Sequence, residues 1–139
     1  VTESFQKAID FVLKWETMGG RVIMTDKSED PGGLTKYGIS QKAYPQLDIA
    51  ALTMADAIDI YKRDYWERCN CDILTYPLDV AVFNFAVTSG AGTARRIREK
   101  SFTYPDFIIN CIQYYVDIKG QVLEGWINRI IDLYRTFPE

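Results

Sequence analysis

Between Ser4 and Trp15 an apolar stripe runs through Phe5, Ala8, Ile9, Val12 and Leu13. This i, i+3, i+4, i+7, i+8 spacing lays one apolar stripe along an amphipathic helix. Glu16 follows Val12 by four residues and Leu13 by three, so the stripe ends in a carboxylate at the edge of the core. Desolvation there disfavours the ionised form, which suits a proton donor. Residues 19–39 lose the helical period and carry five glycines and one proline. Val22-Ile23-Met24 and Leu34 to Ile39 are the strand-like stretches, and Pro31-Gly32 suits the central positions of a type II turn. The pattern predicts a small irregular β-hairpin, with Asp30 at the first turn position, where an aspartate also bonds its own backbone.

Downstream the pattern is helical. Thr53 and Asp56 have capping-box spacing, and Met54, Ala57, Ile58, Tyr61 and Tyr65 form the next stripe. Residues 78–87 are apolar nearly all round, which predicts a central buried helix ending near Gly90 and Gly92. Asn84 interrupts that run, and a buried amide needs hydrogen-bond partners. Asp106 is placed to cap a helix running to about Lys119, with Gly120 as its stop. A last helix, from Val122 to about Arg135, carries Trp126, Ile127, Ile130, Ile131 and Tyr134. With no linker or repeat, the 139 residues predict a single mainly α (α+β) domain.

Composition narrows the chemistry. The chain has no histidine, so Ser-His and Cys-His nucleophile pairs and His-ligated metals are excluded. Carboxylates become the leading acids and bases. Cys69, Cys71 and Cys111 make an odd count that forms no disulfide framework, and they point to synthesis in a reducing compartment. No metal site or cofactor is expected from three cysteines without a histidine. The net charge is −3, and the densest basic stretch, Arg95, Arg96, Arg98 and Lys100, reads as a solvated helix face rather than a nucleic-acid surface. No apolar run is long enough for stable membrane insertion.

The segment Phe11-Val-Leu-Lys-Trp-Glu16, followed by Asp30-Pro-Gly-Gly-Leu-Thr-Lys-Tyr-Gly-Ile-Ser40, resembles glycoside hydrolase family 108, the lysozyme-like N-acetylmuramidases of phage endolysins and secretion activator proteins. Tyr61-Lys-Arg-Asp-Tyr-Trp66, Cys71-Asp-Ile-Leu74 and Phe83-Asn-Phe-Ala-Val-Thr-Ser-Gly90 are similar to further family segments in the same order. Tyr114-Tyr115 and Gly125-Trp-Ile-Asn-Arg129 resemble the peptidoglycan-binding region that follows. The interval from Glu16 to Asp30 is longer than the family's usual one. Asn84 stands where Asp is usual, and Thr88 where Asn is usual.

The resemblance implies a lysozyme-like helical domain, with a catalytic part over residues 1–92 and a helical, peptidoglycan-binding-like part over 93–139 packed on it. It implies cleavage of the β-1,4 bond between N-acetylmuramic acid and N-acetylglucosamine in peptidoglycan glycan strands. Such hydrolysis needs one carboxyl group to protonate the leaving oxygen and a second to activate water or attack the anomeric carbon. Glu16 fits the acid by stripe and by resemblance. For the second carboxylate the nearby choices are Asp26, Glu29 and Asp30. The resemblance favours Asp30, with Thr35 holding the water or a sugar hydroxyl, and Asp26 is the next choice if the turn consumes Asp30. Tyr37 and Asn84 are further candidates for the substrate groove. A monomer made in the cytoplasm without a signal peptide and acting at the wall or periplasm is expected. A lytic transglycosylase of the same fold and an inactive wall-binding module are the alternative readings.

Overall fold

The computed structural model describes residues 2–17, 24–25, 33–118 and 123–139. Helix α1 spans Glu3–Glu16, and its N-cap Thr2 accepts a hydrogen bond from the Phe5 amide. The helix buries Phe5, Ala8, Ile9 and Val12, the expected stripe, together with Phe11 on its flank. Phe11 is buried because the Phe137 ring, 5.7 Å away and edge-on, covers it from the far end of the chain.

The β element has three short antiparallel strands, β1 (Met24–Thr25), β2 (Thr35–Lys36) and β3 (Ile39–Ser40), in the order β1-β2-β3. The expected single strand from Leu34 to Ile39 is thus two strands joined by a tight turn. Tyr37 and Gly38 have φ of 52° and 81°. Two consecutive left-handed residues between paired strands make a type I′ hairpin turn, whose twist matches that of the strands it joins. Asp26, Glu29, Asp30 and the Pro31-Gly32 turn lie outside the described residues, as do Val22 and Ile23.

Helix α2 (Met54–Tyr61) starts with the expected capping box: the Asp56 amide donates to Thr53 Oγ1 at 3.1 Å, and the Thr53 amide to Asp56 Oδ2 at 3.0 Å. It widens into a π-helical segment over Lys62–Glu67, which carries Tyr65 and the buried Trp66. Helix α3 (Leu78–Ser89) is the central one, and every residue from Asp79 to Ala86 is buried. Helices α1, α4 (Ala91–Glu99) and α5 (Tyr104–Ile118) all pack on it. Gly90, at φ +94°, ends α3, whereas Gly92 lies inside α4 and does not act as a stop. At the start of α5, Thr103 Oγ1 accepts from the Asp106 amide, and the Asp106 carboxylate reaches back to the Phe102 amide. Asp106 therefore works from the first turn, and Thr103 takes the capping place expected of it. Lys119 and Gly120 are outside the described residues.

Helix α6 spans Leu123–Thr136 and keeps Trp126, Ile127 and Ile130 of the expected stripe against the core. Its core face is Arg129, Ile130 and Leu133, continued by Phe137, while Ile131 and Tyr134 are exposed. Polar ties to α1 set this rotation. Lys14 Nζ and Trp15 Nε1 both donate to Asp132 Oδ2, at 2.7 and 2.8 Å.

Candidate active site

Glu16 is the last residue of α1, where the stripe leaves the core. Its side chain is 25% exposed and its Oε1 accepts from Arg129 Nη1 at 2.8 Å. Arg129 comes from the core face of α6 and is itself 7% exposed. A buried guanidinium needs a counter-charge, since removing one member of a buried pair typically costs about 3–5 kcal/mol. Glu16 supplies that charge. The apolar setting expected for this carboxylate is therefore a charged one.

Arg129 is held from behind by the central helix. Its Nε donates to Asn84 Oδ1 at 2.9 Å. Asn84 is 1% exposed, so it braces the arginine and presents no surface to a sugar. Nε and Nη2 form one edge of the guanidinium fork, the edge a carboxylate grips with two bonds. Here the neutral amide satisfies only one of them. Asn84 Nδ2 and Arg129 Nη2 are both buried without an acceptor among the described residues.

The type I′ turn closes on the other side of Glu16. A Cβ on Gly38 would stand 2.9 Å from Glu16 Oε2 and would overlap the Tyr61 hydroxyl. Only glycine permits both this φ and this approach. The Tyr61 hydroxyl donates to the Tyr37 carbonyl at 2.8 Å, which ties the turn to α2 and holds Tyr37 in its left-handed conformation. Burial pushes the Tyr61 phenol well up, and the negative charge of Glu16 adds to the effect, so Tyr61 stays a neutral donor. Tyr65, one helical turn further on, is raised by burial first, and then by the negative charges of Asp64 and Glu16.

Among the expected site residues, Glu16, Tyr37 and Asn84 meet through these contacts. Thr35 lies in β2, its backbone paired with Thr25 and Ser40, and its side chain is half-buried. The Tyr37 ring is partly covered, with the Lys36 ammonium 5.5 Å from its centroid. Asp30 and Asp26 fall outside the described residues. Sequence reasoning did not single out Arg129, Gly38, Tyr61 or Tyr65 for the site. Arg129 was the most detectable, because a charged residue on the apolar face of a helix calls for a buried partner. Among the described residues no cluster of His, Cys, Asp or Glu is arranged to hold a metal, and no helix is long and apolar enough to cross a membrane.

The sequence profile of the family described as Glycosyl hydrolase 108 matches residues 9–90, a segment that contains Glu16, Gly38 and Asn84 but not Arg129. A solved structure, that of Brucella abortus SagA, is similar to this chain with a TM-score of 0.78. The alignment covers 98% of this chain and 94% of that one at 24% identity. At that identity the likeness shows the fold, a lysozyme-like helical domain with a small β element. No protein with a curated description matches the sequence.

Proposed function

The chain belongs to glycosyl hydrolase family 108, and from that premise we propose that it hydrolyses peptidoglycan glycan strands as an N-acetylmuramidase. The observation that carries the reading is the setting of Glu16. Its carboxylate ends α1 inside the family-matched segment, is open to solvent over a quarter of its surface, and is held in place by Arg129. A side chain that must pass a proton to a glycosidic oxygen needs this combination of access and fixed position.

In this mechanism Glu16 takes up a proton from solvent, to which a quarter of its surface is open, and delivers it to the leaving oxygen between the two sugars. A second carboxylate, Asp30 or else Asp26, activates the attacking water or adds to the anomeric carbon. Thr35 and Tyr37, on the strand and turn that lead to Gly38, line the groove. Arg129 orients Glu16 without touching the sugar bond. The three cysteines are free and buried, which fits synthesis in a reducing cytoplasm and action at the wall without disulfide maturation.

Zymography on peptidoglycan, with mass analysis of the products, tests the proposal. Clearing with reducing-end products supports hydrolysis. Products with an anhydro terminus would identify a lytic transglycosylase, and a folded protein that binds wall without clearing it would be a binding module. Glu16→Gln should cut turnover by about 10²–10⁴-fold, the usual contribution of a positioned acid, while remaining folded. Substantial lysis by that variant would remove Glu16 from the mechanism. Asp30→Asn and Asp26→Asn, compared by turnover and by thermal melts, separate the catalytic carboxylate from the one that supports the turn.

A further inference from the structure

An open cleft of about 390 Å³ lies beside the site, lined by Tyr44, Asp64, Tyr65, Arg68 and Gly90 among others. Tyr65 links the two places, because its hydroxyl responds to the charges of Asp64, Glu16 and Arg68 together. The cleft's acid is already committed. Asp64 accepts from Arg63 at 2.7 and 2.9 Å and from the Tyr44 hydroxyl at 2.6 Å. The Arg63 bonds, followed by Tyr44, hold its carboxyl below the usual range. Asp64 and Arg63 thus cancel each other.

Arg68 has no such partner. It is exposed and forms no ion pair among the described residues. Next to it in sequence is the buried Cys69 thiol, whose ionisation burial opposes and the charges of Arg95, Arg68 and Arg98 favour. Its sulfur lies 3.8 Å from the Ala91 carbonyl at the rim of the cleft. Arg98 Nε is buried with no acceptor of its own. The cleft therefore combines one guanidinium unpaired among the described residues, Arg68, with two tyrosine hydroxyls. Its floor at Gly90 is open, with no atom within 4 Å of where a Cβ would be.

We propose that this cleft is a glycan subsite for a sugar that bears a carboxylate, with Arg68 as the counter-charge. The proposal rests on the peptidoglycan reading above. It adds that selectivity for acidic over neutral strands is set here, away from the reacting bond. Tyr44 and Tyr65 offer ring edges and hydroxyls to the sugar, and Arg68 pairs with its acidic substituent. In peptidoglycan that substituent is either the lactyl carboxylate of muramic acid or a carboxylate of the stem peptide.

The test measures KM, kcat and binding to immobilised strands for wild type, Arg68→Gln and Arg68→Lys. Three ligands are used: neutral N-acetylglucosamine oligomers, strands stripped of peptide, and intact peptide-bearing strands. Arg68→Gln should raise KM and the dissociation constant roughly three- to tenfold on acidic ligands, as expected for a solvent-accessible charged contact. It should leave kcat and the neutral oligomers unchanged, and Arg68→Lys should recover most of the loss. An effect confined to stripped strands identifies the lactyl carboxylate, and one confined to intact strands identifies the stem peptide. No change on any ligand, or an equal change on the neutral oligomers, overturns the subsite. If wild type cuts nothing, the hydrolase reading fails, and the binding measurements still decide the role of Arg68.

Discussion

The junction of Glu16, Arg129 and Asn84 makes a quantitative prediction through Asn84→Asp. In the wild-type protein Glu16 is the only carboxylate bonded to Arg129 among the described residues. Aspartate at position 84 is nearly isosteric and would meet both Nε and Nη2. Two carboxylates on neighbouring edges of one guanidinium stand roughly 6 Å apart, which at an effective dielectric near 20 is about 3 kcal/mol of repulsion. Glu16 is 25% exposed, so solvent screening reduces this repulsion to about 1–2 kcal/mol.

The sign follows from the role of the acid. A general acid works only while protonated, so kcat/KM falls as pH rises through its ionisation. A second negative charge on Arg129 favours the protonated form of Glu16. The falling limb of the pH–rate profile should therefore lie at higher pH in Asn84→Asp than in wild type. Stability is a poorer readout. Giving Arg129 Nη2 an acceptor and removing the orphaned Asn84 Nδ2 gains about 1–3 kcal/mol each, but desolvating a new carboxylate costs several, and the two nearly cancel. The assay is kcat/KM on labelled peptidoglycan from pH 4 to about 9, with the nearby Tyr61 and Tyr65 unaltered. An unmoved limb, or one displaced to lower pH, would refute the claim that Arg129 governs the charge of Glu16.

Two further predictions use other contacts. Gly38→Ala puts a Cβ at φ +81° and within 2.9 Å of Glu16 Oε2. The strained conformation alone should cost about 1–3 kcal/mol, and turnover should fall further than the melting temperature explains; wild-type turnover in this variant would show that the turn does not shape the site. Burial pushes the thiols of Cys69, Cys71 and Cys111 upward, so they stay protonated and slow to oxidise. Activity should be unchanged in strong reductant, and titration of the unfolded protein should count three free thiols; a reductant-sensitive activity would contradict this.

Much of the fold was legible because it rests on local patterns. The stripe from Phe5 to Leu13, the Thr53–Asp56 box and the all-round apolar run from Leu78 each encode an element without help from distant residues. Residues whose conformation depends on tertiary contacts were not legible. Tyrosine is a poor candidate for a left-handed turn position, and Tyr37 adopts it where Tyr61 holds its carbonyl. On helix α6 the expected stripe holds at Trp126, Ile127 and Ile130 but not at Ile131 and Tyr134, whose places on the core face go to Arg129 and Leu133. The orientation of this helix comes from Asp132 and Arg129 reaching two ends of one turn of α1.

That orientation explains how the site is assembled. The family-matched segment ends at residue 90, yet the partner of Glu16 arrives from residue 129. Arg129 in turn is fixed by Asn84, in the middle of the helix on which α1, α4 and α5 all pack. A polar path therefore runs from the central helix through α6 to the carboxylate at the end of α1. Misplacing any of these elements would leave a buried guanidinium without its counter-charge, at a cost comparable to a sizeable part of the stability of a small domain. The residues before and after position 92 thus share one core and one charge balance, and the geometry at Glu16 depends on the docking of the last helix as much as on the motif in which Glu16 stands.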